Sequence, residues 1–278
     1  MHVAIVGAGA LGIVYGTLLA KVGVAVTFVV RPARVADEQP FILERVDGDQ
    51  ARHTFATPPR ASAVPPDADV VLVCVRAEQI DDALVALLAP SSAPAVFLTP
   101  MFPKDLAVAQ AGLGDRVIPA MPSVVAYFAT TGAVRFWLPG VAVTQIEETK
   151  PRRVEIEALV KSLVEAGISS RIEMGVHETN MATTVTFIPV TMGIDAAGGI
   201  DRLMENGELL DIVLRAVDEG IVLGRTVGKA AGWSDIFMKF LSPFTLRVGI
   251  GLAKRRSPEA VLYVEEHFGR KLHVQNVR

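Results

Sequence analysis

The stretch HVAIVGAGALGIVYG, running from His2 to Gly16, decides the fold. Its opening, HVAIV, is a short β-branched run closed by Gly7 and predicts a strand. It continues as AGALGIVYGTLLAKVG, with apolar residues at helical spacing and a stop at Gly23, and predicts a helix. At the junction lies Gly7-Ala8-Gly9-Ala10-Leu11-Gly12, a G-x-G-x-x-G turn in the strand-to-helix context that gives the motif its meaning. Gly7 permits the tight turn, Gly9 lets a pyrophosphate approach the backbone, and Gly12 packs helix against strand. The start of the helix, at Ala10 and Leu11, supplies free N–H groups and the positive end of the helix dipole. VAVTFVVR follows as a second strand.

The rest of the first half repeats this alternation. ADVVLVCVR is a fully apolar strand of the kind buried in a parallel sheet, QIDDALVALLAP a helix, and APAVFLTP and DRVIPAMP further strands. The segment from Pro32 to Pro66 is irregular, with VDGDQ as a hairpin turn between short strands. GAVRFWLPG and VAVTQIE read as an antiparallel hairpin at the sheet edge. PRRVEIEALVKSLVEAG is an amphipathic helix and SSRIEM a strand. From Gly175 onward only helical patterns follow: HETNMATTVTFI, ELLDIVLRAVDEGIVLGRTVG and PEAVLYVEEHFGRKL. The expected architecture is α/β, a Rossmann-type doubly wound parallel sheet followed by a smaller all-helical domain. The boundary falls near Met174, giving a nucleotide domain over 1–174 and a helical substrate or dimerisation domain over 175–278.

Composition narrows the function. Of 278 residues 51% are hydrophobic and 21% charged, which is globular, and a net charge of −3 leaves no electrostatic footprint for nucleic acid. Cys74 is the single cysteine, so there is no intrachain disulfide or cysteine zinc cluster, and its apolar strand makes it inert core. His267 and His273 have no metal-ligand spacing with Glu or Cys, so no metal site is expected. Val3 to Ala20 is uncharged and long enough to suggest a membrane span. Its four glycines and the absence of a basic flank argue instead for a turn and a close-packed helix. The expectation is a cytoplasmic protein with no membrane partner.

The end of the second strand bears on which dinucleotide binds. An NAD site usually places an acidic residue there, for the ribose hydroxyls. This chain places Arg31, with Arg34 three positions on, and a guanidinium pairs with a 2′-phosphate. NADP is the expected cofactor.

With these features the sequence resembles the ketopantoate reductase family. The likeness is carried by GAGALG, the arginine closing the second strand, the strand running into VRAEQIDDAL, and NGEL (Asn206 to Leu209) in the helical half. The resemblance implies a Rossmann domain followed by a helical domain, a substrate cleft between them, and NADPH-dependent reduction of a 2-oxo acid. A small carbonyl compound is then the expected partner, and a homodimer is one expectation for the assembly.

Carried over position by position, the family's cofactor residues match Gly7, Gly9, Gly12 and Arg31, and a lysine beside the cofactor falls on Arg76. The family's asparagine of an NG pair falls on Thr99. Its catalytic lysine falls on Asn180, and a substrate-binding asparagine one turn later on Thr184. A substrate-binding glutamate falls on Glu259. The lysine donates a proton to the carbonyl oxygen as hydride arrives, and a general acid contributes about 10²–10⁴ in rate. An amide donates a hydrogen bond but gives up no proton near neutral pH. His177, Asn180 and Thr184 are spaced three and four apart and line one helical face, so His177 is the candidate proton donor. The alternative is a non-catalytic NADP-binding protein or redox sensor that has lost the chemistry. MFP and MPS (Met101 to Pro103, Met121 to Ser123) follow sheet strands, as pocket lining or as packing.

Overall fold

Long β-branched runs that carry no polar residue are stable only with both faces covered, and the strands at the centre of this protein are buried throughout. The computed structural model describes residues 1–47, 51–129, 131–139, 142–227, 245, 248, 250–252, 255 and 258–263. In chain order the first elements are β1 (His2–Val6), α1 (Ala10–Lys21), β2 (Ala25–Val29), β3 (Phe41–Arg45), β4 (Arg52–Phe55) and β5 (Arg60–Ala61). Next come β6 (Val70–Val73), α2 (Asp82–Leu88), β7 (Ala95–Phe97), α3 (Pro103–Leu113), β8 (Val117–Met121), β9 (Val125–Phe128) and β10 (Val134–Trp137). They are followed by β11 (Thr144–Glu147), α4 (Arg153–Glu165), β12 (Ser170–Glu173), α5 (Val176–Ala197), α6 (Ile200–Glu205), α7 (Gly207–Val227) and α8 (Pro258–Tyr263).

The main sheet has eight strands in the order β12-β11-β8-β7-β6-β1-β2-β5. From β5 to β8 every neighbouring pair is parallel. Chain order reverses between β1 and β6, which makes that point the crevice where a doubly wound sheet takes its ligand. The expected Rossmann-type sheet is therefore present. The helical pattern of PKDLAVAQAGL, α3, was not anticipated, although a parallel β7–β8 pair requires a crossover of this kind.

A second sheet of four strands, β4-β3-β10-β9, packs over α1. Here the expected GAVRFWLPG–VAVTQIE hairpin is corrected. β10 pairs antiparallel with the preceding β9 and parallel with β3, whereas β11 joins the main sheet antiparallel to β8. Alternation of apolar residues fixes which face of a strand is buried but not which strand lies beside it. Val134 and Phe136 of β10 are buried in the small sheet, and Thr144 and Ile146 of β11 are buried in the large one. VDGDQ is bracketed by an antiparallel pair, β3 and β4.

α1 is held between the sheets by a bare helix surface and a buried polar knot. A Cβ on Gly16 would lie 2.5 Å from Cζ of Phe28, so the glycine lets β2 approach the helix. Phe28 in turn meets Phe41 edge-to-face at 4.8 Å between ring centroids, joining the two sheets through an aromatic pair. Tyr15 is fully buried, and its hydroxyl lies 2.6 Å from Oγ1 of Thr144. That threonine oxygen also accepts from the backbone N–H of Ser123 at 3.1 Å and lies 2.9 Å from the Ser123 hydroxyl. Burial holds the Tyr15 phenol well above its ordinary range, so it stays protonated.

The chain divides into two compact units, Met1–His177 and Glu178–Arg278. Among the described residues of the second unit every regular element is a helix. Its core gathers Ile194, Ile200, Leu203, Met204, Leu210 and Val213. α5 and α7 approach closely at glycines: a Cβ on Gly193 would collide with the Val213 side chain, and one on Gly224 would sit 3.2 Å from Cβ of Ala182.

The knot around Thr144 can be tested by ordering two losses. Tyr15→Phe removes one buried hydrogen bond and is expected to lower unfolding free energy by about 1 kcal/mol. Thr144→Val removes the oxygen that Tyr15 and both Ser123 groups share, and should cost more, about 2–3 kcal/mol. Chemical denaturation measures both; equal losses would show that Thr144 is not the shared partner.

Candidate functional site

Each glycine of the first turn does something different. Gly7 sits at φ 98°, and a Cβ there would lie 2.7 Å from the Cys74 carbonyl oxygen, so both conformation and space require glycine. A Cβ on Gly12 would collide with the carbonyl of Gly7 and stand 3.2 Å from Cβ of Cys74. Gly9 differs: its φ of −83° suits any residue, and an added Cβ meets nothing within 4 Å. The glycine therefore keeps open a space that none of the described residues fills. Gly9 caps α1 without a side-chain hydrogen bond, and no acidic residue occupies the first turn. The first intrahelical bond runs from the Ile13 N–H to the Gly9 carbonyl at 2.9 Å. The N–H groups of Ala10, Leu11 and Gly12 are left to point out of the helix end. An uncapped, positive helix end beside an open cradle fits the pyrophosphate of a dinucleotide.

The other parallel strands end on the same edge of the sheet. Cys74 closes β6, with its N–H donating to the Val6 carbonyl at 2.8 Å. Arg76 lies just beyond, exposed, with Nε 2.9 Å from Glu78. Thr99, two residues past β7, is buried, and its hydroxyl donates to the Val75 carbonyl. Its proton is committed, leaving lone pairs as what it can offer a ligand. Arg31 stands exposed just past the end of β2, and among the described residues no hydrogen bond or ion pair engages its guanidinium. Strand ends and glycine turn thus bring Gly7, Gly9, Ala10, Leu11, Gly12, Arg31, Arg76 and Thr99 to one edge. Burial pushes the Cys74 thiol up to about 12, so the sulfur beneath the turn is protonated and unreactive near neutral pH.

Of the remaining sequence candidates, His177, Asn180 and Thr184 are on α5 and Glu259 is on α8. α5 begins after β12, whose partner β11 runs antiparallel to β8. Its first turn is held by Glu147, a residue the sequence reading missed. The Glu147 carboxylate accepts from the backbone N–H groups of Gly175 at 2.8 Å, Val176 at 2.7 Å and His177 at 3.3 Å. A carboxylate at a helix N-terminus is favoured by both hydrogen bonding and the dipole. The capping residue here comes from a distant strand, so no local S/T-x-x-E signal could have shown it. His177 is half-buried, with Nδ1 enclosed and unpartnered among the described residues. Asn180 is buried and Thr184 half-buried, both on α5. Glu259 falls in α8, and its side chain lies outside the described residues; so do His267 and His273.

Comparison with known proteins gives a consistent answer. Residues 3–101 match the family described as ketopantoate reductase PanE/ApbA. The chain resembles a ketopantoate reductase. Among solved structures, a PanE/ApbA family ketopantoate reductase from Ralstonia eutropha JMP134 is 18% identical, with a TM-score of 0.64 over 99% of this chain and 98% of that one. A 2-dehydropantoate 2-reductase from Methylococcus capsulatus is also 18% identical, with a TM-score of 0.59 over 100% and 98%. A D-mandelate dehydrogenase, solved with NADH and anilino(oxo)acetate, is 13% identical, with a TM-score of 0.59 over 99% and 98%. At these identities the structures establish the shared fold. No curated protein matches the chain in sequence. Among the described residues no helix is long and apolar enough to cross a membrane.

Two glycine variants separate the cradle from the packing. Gly9→Ala is expected to keep the melting temperature while weakening dinucleotide binding by about tenfold or more, because its methyl enters the space left open. Gly12→Ala should instead destabilise the fold by about 1–3 kcal/mol, as overpacking does. Thermal melting and calorimetric titration of each protein distinguish the two; a Gly9→Ala protein that binds normally would place the phosphate elsewhere.

Proposed function

We propose that the protein is an NADPH-dependent oxidoreductase that reduces a small 2-oxo acid or related carbonyl compound to its hydroxy form. The observation that carries this reading is the open cradle at Gly9, beneath an uncapped helix end, in a chain whose first hundred residues match ketopantoate reductases. Gly7, Gly9, Ala10, Leu11 and Gly12 hold the pyrophosphate. Arg31, exposed at the end of β2 and unengaged among the described residues, takes the 2′-phosphate. The reduced nicotinamide supplies hydride when bound. NADH in the D-mandelate dehydrogenase complex shows that the fold also accommodates the unphosphorylated cofactor, so the preference has to come from residues such as Arg31.

The chain's own groups divide the remaining work. Arg76 offers positive charge beside the glycine turn, to the cofactor or to a substrate carboxylate. Thr99, its proton spent on Val75, accepts a hydrogen bond, which suits a hydroxyl better than a carbonyl oxygen. Asn180 supplies an amide donor that orients the carbonyl, and Thr184 and Glu259 contact substrate. His177 supplies the proton, a role supported by its enclosed, unpartnered Nδ1.

The second reading is an NADP-binding protein without catalysis, favoured by the neutral amide of Asn180 where the resemblance implies a lysine. A thiol-based redox sensor is poorly supported, since burial keeps Cys74, the chain's one cysteine, protonated.

Calorimetric titration is expected to show NADPH binding at least about tenfold tighter than NADH, the scale of one charge-assisted bond. Arg31→Ala should remove most of that difference. Equal affinities in the unmodified protein would rule out the preference.

The catalytic reading is tested by NADPH consumption across a panel of 2-oxo acids. His177→Ala is expected to lower turnover by about tenfold or more, and Asn180→Ala to lower it as well. Full activity in His177→Ala would move proton donation to water or another group. Binding without turnover of any carbonyl compound would favour the non-catalytic reading.

A further inference from the structure

The loop after β2 carries two arginines, and they are not equivalent. Arg31 is unengaged among the described residues, but Arg34 is drawn back along the chain, with Nη2 3.5 Å from Oδ2 of Asp37. The other oxygen of that carboxylate, Oδ1, accepts from the Gln39 N–H at 2.9 Å. The Gln39 N–H, with the Arg60 and Arg34 guanidinium groups nearby, holds the Asp37 carboxyl below the usual carboxylate range. The loop also has backbone closure of its own. Its turn closes through backbone bonds from Arg34 to the Arg31 carbonyl at 2.8 Å and from Val35 to the Pro32 carbonyl at 3.2 Å. Arg60, on β5, donates to the backbone carbonyls of Asp37 and, at 2.7 Å, Gln39. The Arg60 guanidinium sits 4.9 Å over the Phe41 ring, fastening the loop to the small sheet.

We propose that Asp37 sets the strength of the 2′-phosphate preference by occupying Arg34, so that Arg31 alone discriminates between the two dinucleotides. The proposal rests on the NADP reading above. A dianionic 2′-phosphate at the end of β2 meets one available guanidinium, Arg31, and an Arg34–Asp37 pair whose charges offset each other. Removing the Asp37 charge frees Arg34 as a second partner. Asparagine is the informative replacement, because its side-chain oxygen still accepts from the Gln39 N–H while its amide cannot hold a guanidinium as an ion pair.

The test is calorimetric titration of NADP⁺ and NAD⁺ against the full chain and three variants: Asp37→Asn, Arg34→Ala and the double substitution. Thermal melting of each serves as the folding control. Arg34→Ala alone is expected to weaken NADP⁺ binding modestly, by about two- to threefold, since it leaves the Asp37 charge without its paired cation. Asp37→Asn should tighten NADP⁺ by roughly three- to tenfold and leave NAD⁺ unchanged. The double variant should return to the unmodified NADP⁺ affinity. A gain that persists without Arg34, no gain in a folded Asp37→Asn protein, or a loss of NAD⁺ affinity in it would each overturn the proposal. Preference for NADP⁺ in the unmodified chain with Asp37→Asn inert would sink this inference alone. Equal binding of both dinucleotides, with a preference that appears in Asp37→Asn and vanishes in the double variant, would sink only the claim that the unmodified chain prefers NADP.

Discussion

α1 lies so close to β1 and β6 that one methyl group at position 12 would collide with the carbonyl of Gly7. That approach brings the helix end over the strand ends and forces Gly7 into a positive φ to make the turn. With Gly12 bare, the first N–H groups of the helix face the crevice at the reversal of strand order. With Gly16 bare, the same helix rests on Phe28 and, through Phe41, on the second sheet. The helix whose N-terminus forms the open cradle is thus also the filling of a sandwich. Loosening it for stability reasons would loosen the site.

The polar knot of Tyr15, Thr144 and Ser123 belongs to the same constraint. It ties α1 to the end of β8 and to β11 through one threonine oxygen in an otherwise apolar layer. Non-directional packing of valines and isoleucines tolerates sliding of a helix over a sheet, whereas a buried hydroxyl with three contacts at 2.6 to 3.1 Å does not. Glu147 extends the device outward from the same strand, with one carboxylate gathering three backbone N–H groups at the start of α5. β11 therefore holds α1 through Thr144 and the backbone of Gly175, Val176 and His177 through Glu147.

What the sequence made legible was what is local. The glycine turn, the strands buried on both faces, α1 and the long helices after Gly175 each declare themselves within a window of ten to twenty residues. Pairing is not local, and the partner of β10 was misjudged because GAVRFW fits either neighbour by pattern alone. α3 begins with Phe102-Pro103 and a buried Asp105 that accepts from the Phe102 N–H at 3.0 Å, a helix start hidden by its proline and by the preceding TPMF. In the site, Gly7 and Gly12 were readable because geometry demands glycine, and Gly9 because the G-x-G-x-x-G spacing places it between them. Glu147 and Asp37 were not, because their roles arise from partners brought close by folding or from competition with a neighbour.

In the carbonyl reduction proposed above, the chemistry left to explain centres on position 180. A buried amide holds a carbonyl oxygen by hydrogen bonding but leaves the developing alkoxide without a proton, and stabilising that charge is commonly the largest part of such a reaction. Two physical solutions remain to an enzyme so built. A neighbouring titratable group on the same helix can donate, for which the His177 imidazole, held in the first turn by the Glu147 clamp, has the right chemistry. Alternatively the substrate can carry its own acidic or electron-withdrawing group, so that its alkoxide needs less help. The two solutions select different substrates: the first accepts an ordinary 2-oxo acid, the second only an activated carbonyl. Substrate range is therefore itself a reading of mechanism, and a protein confined to activated carbonyls would owe little to His177.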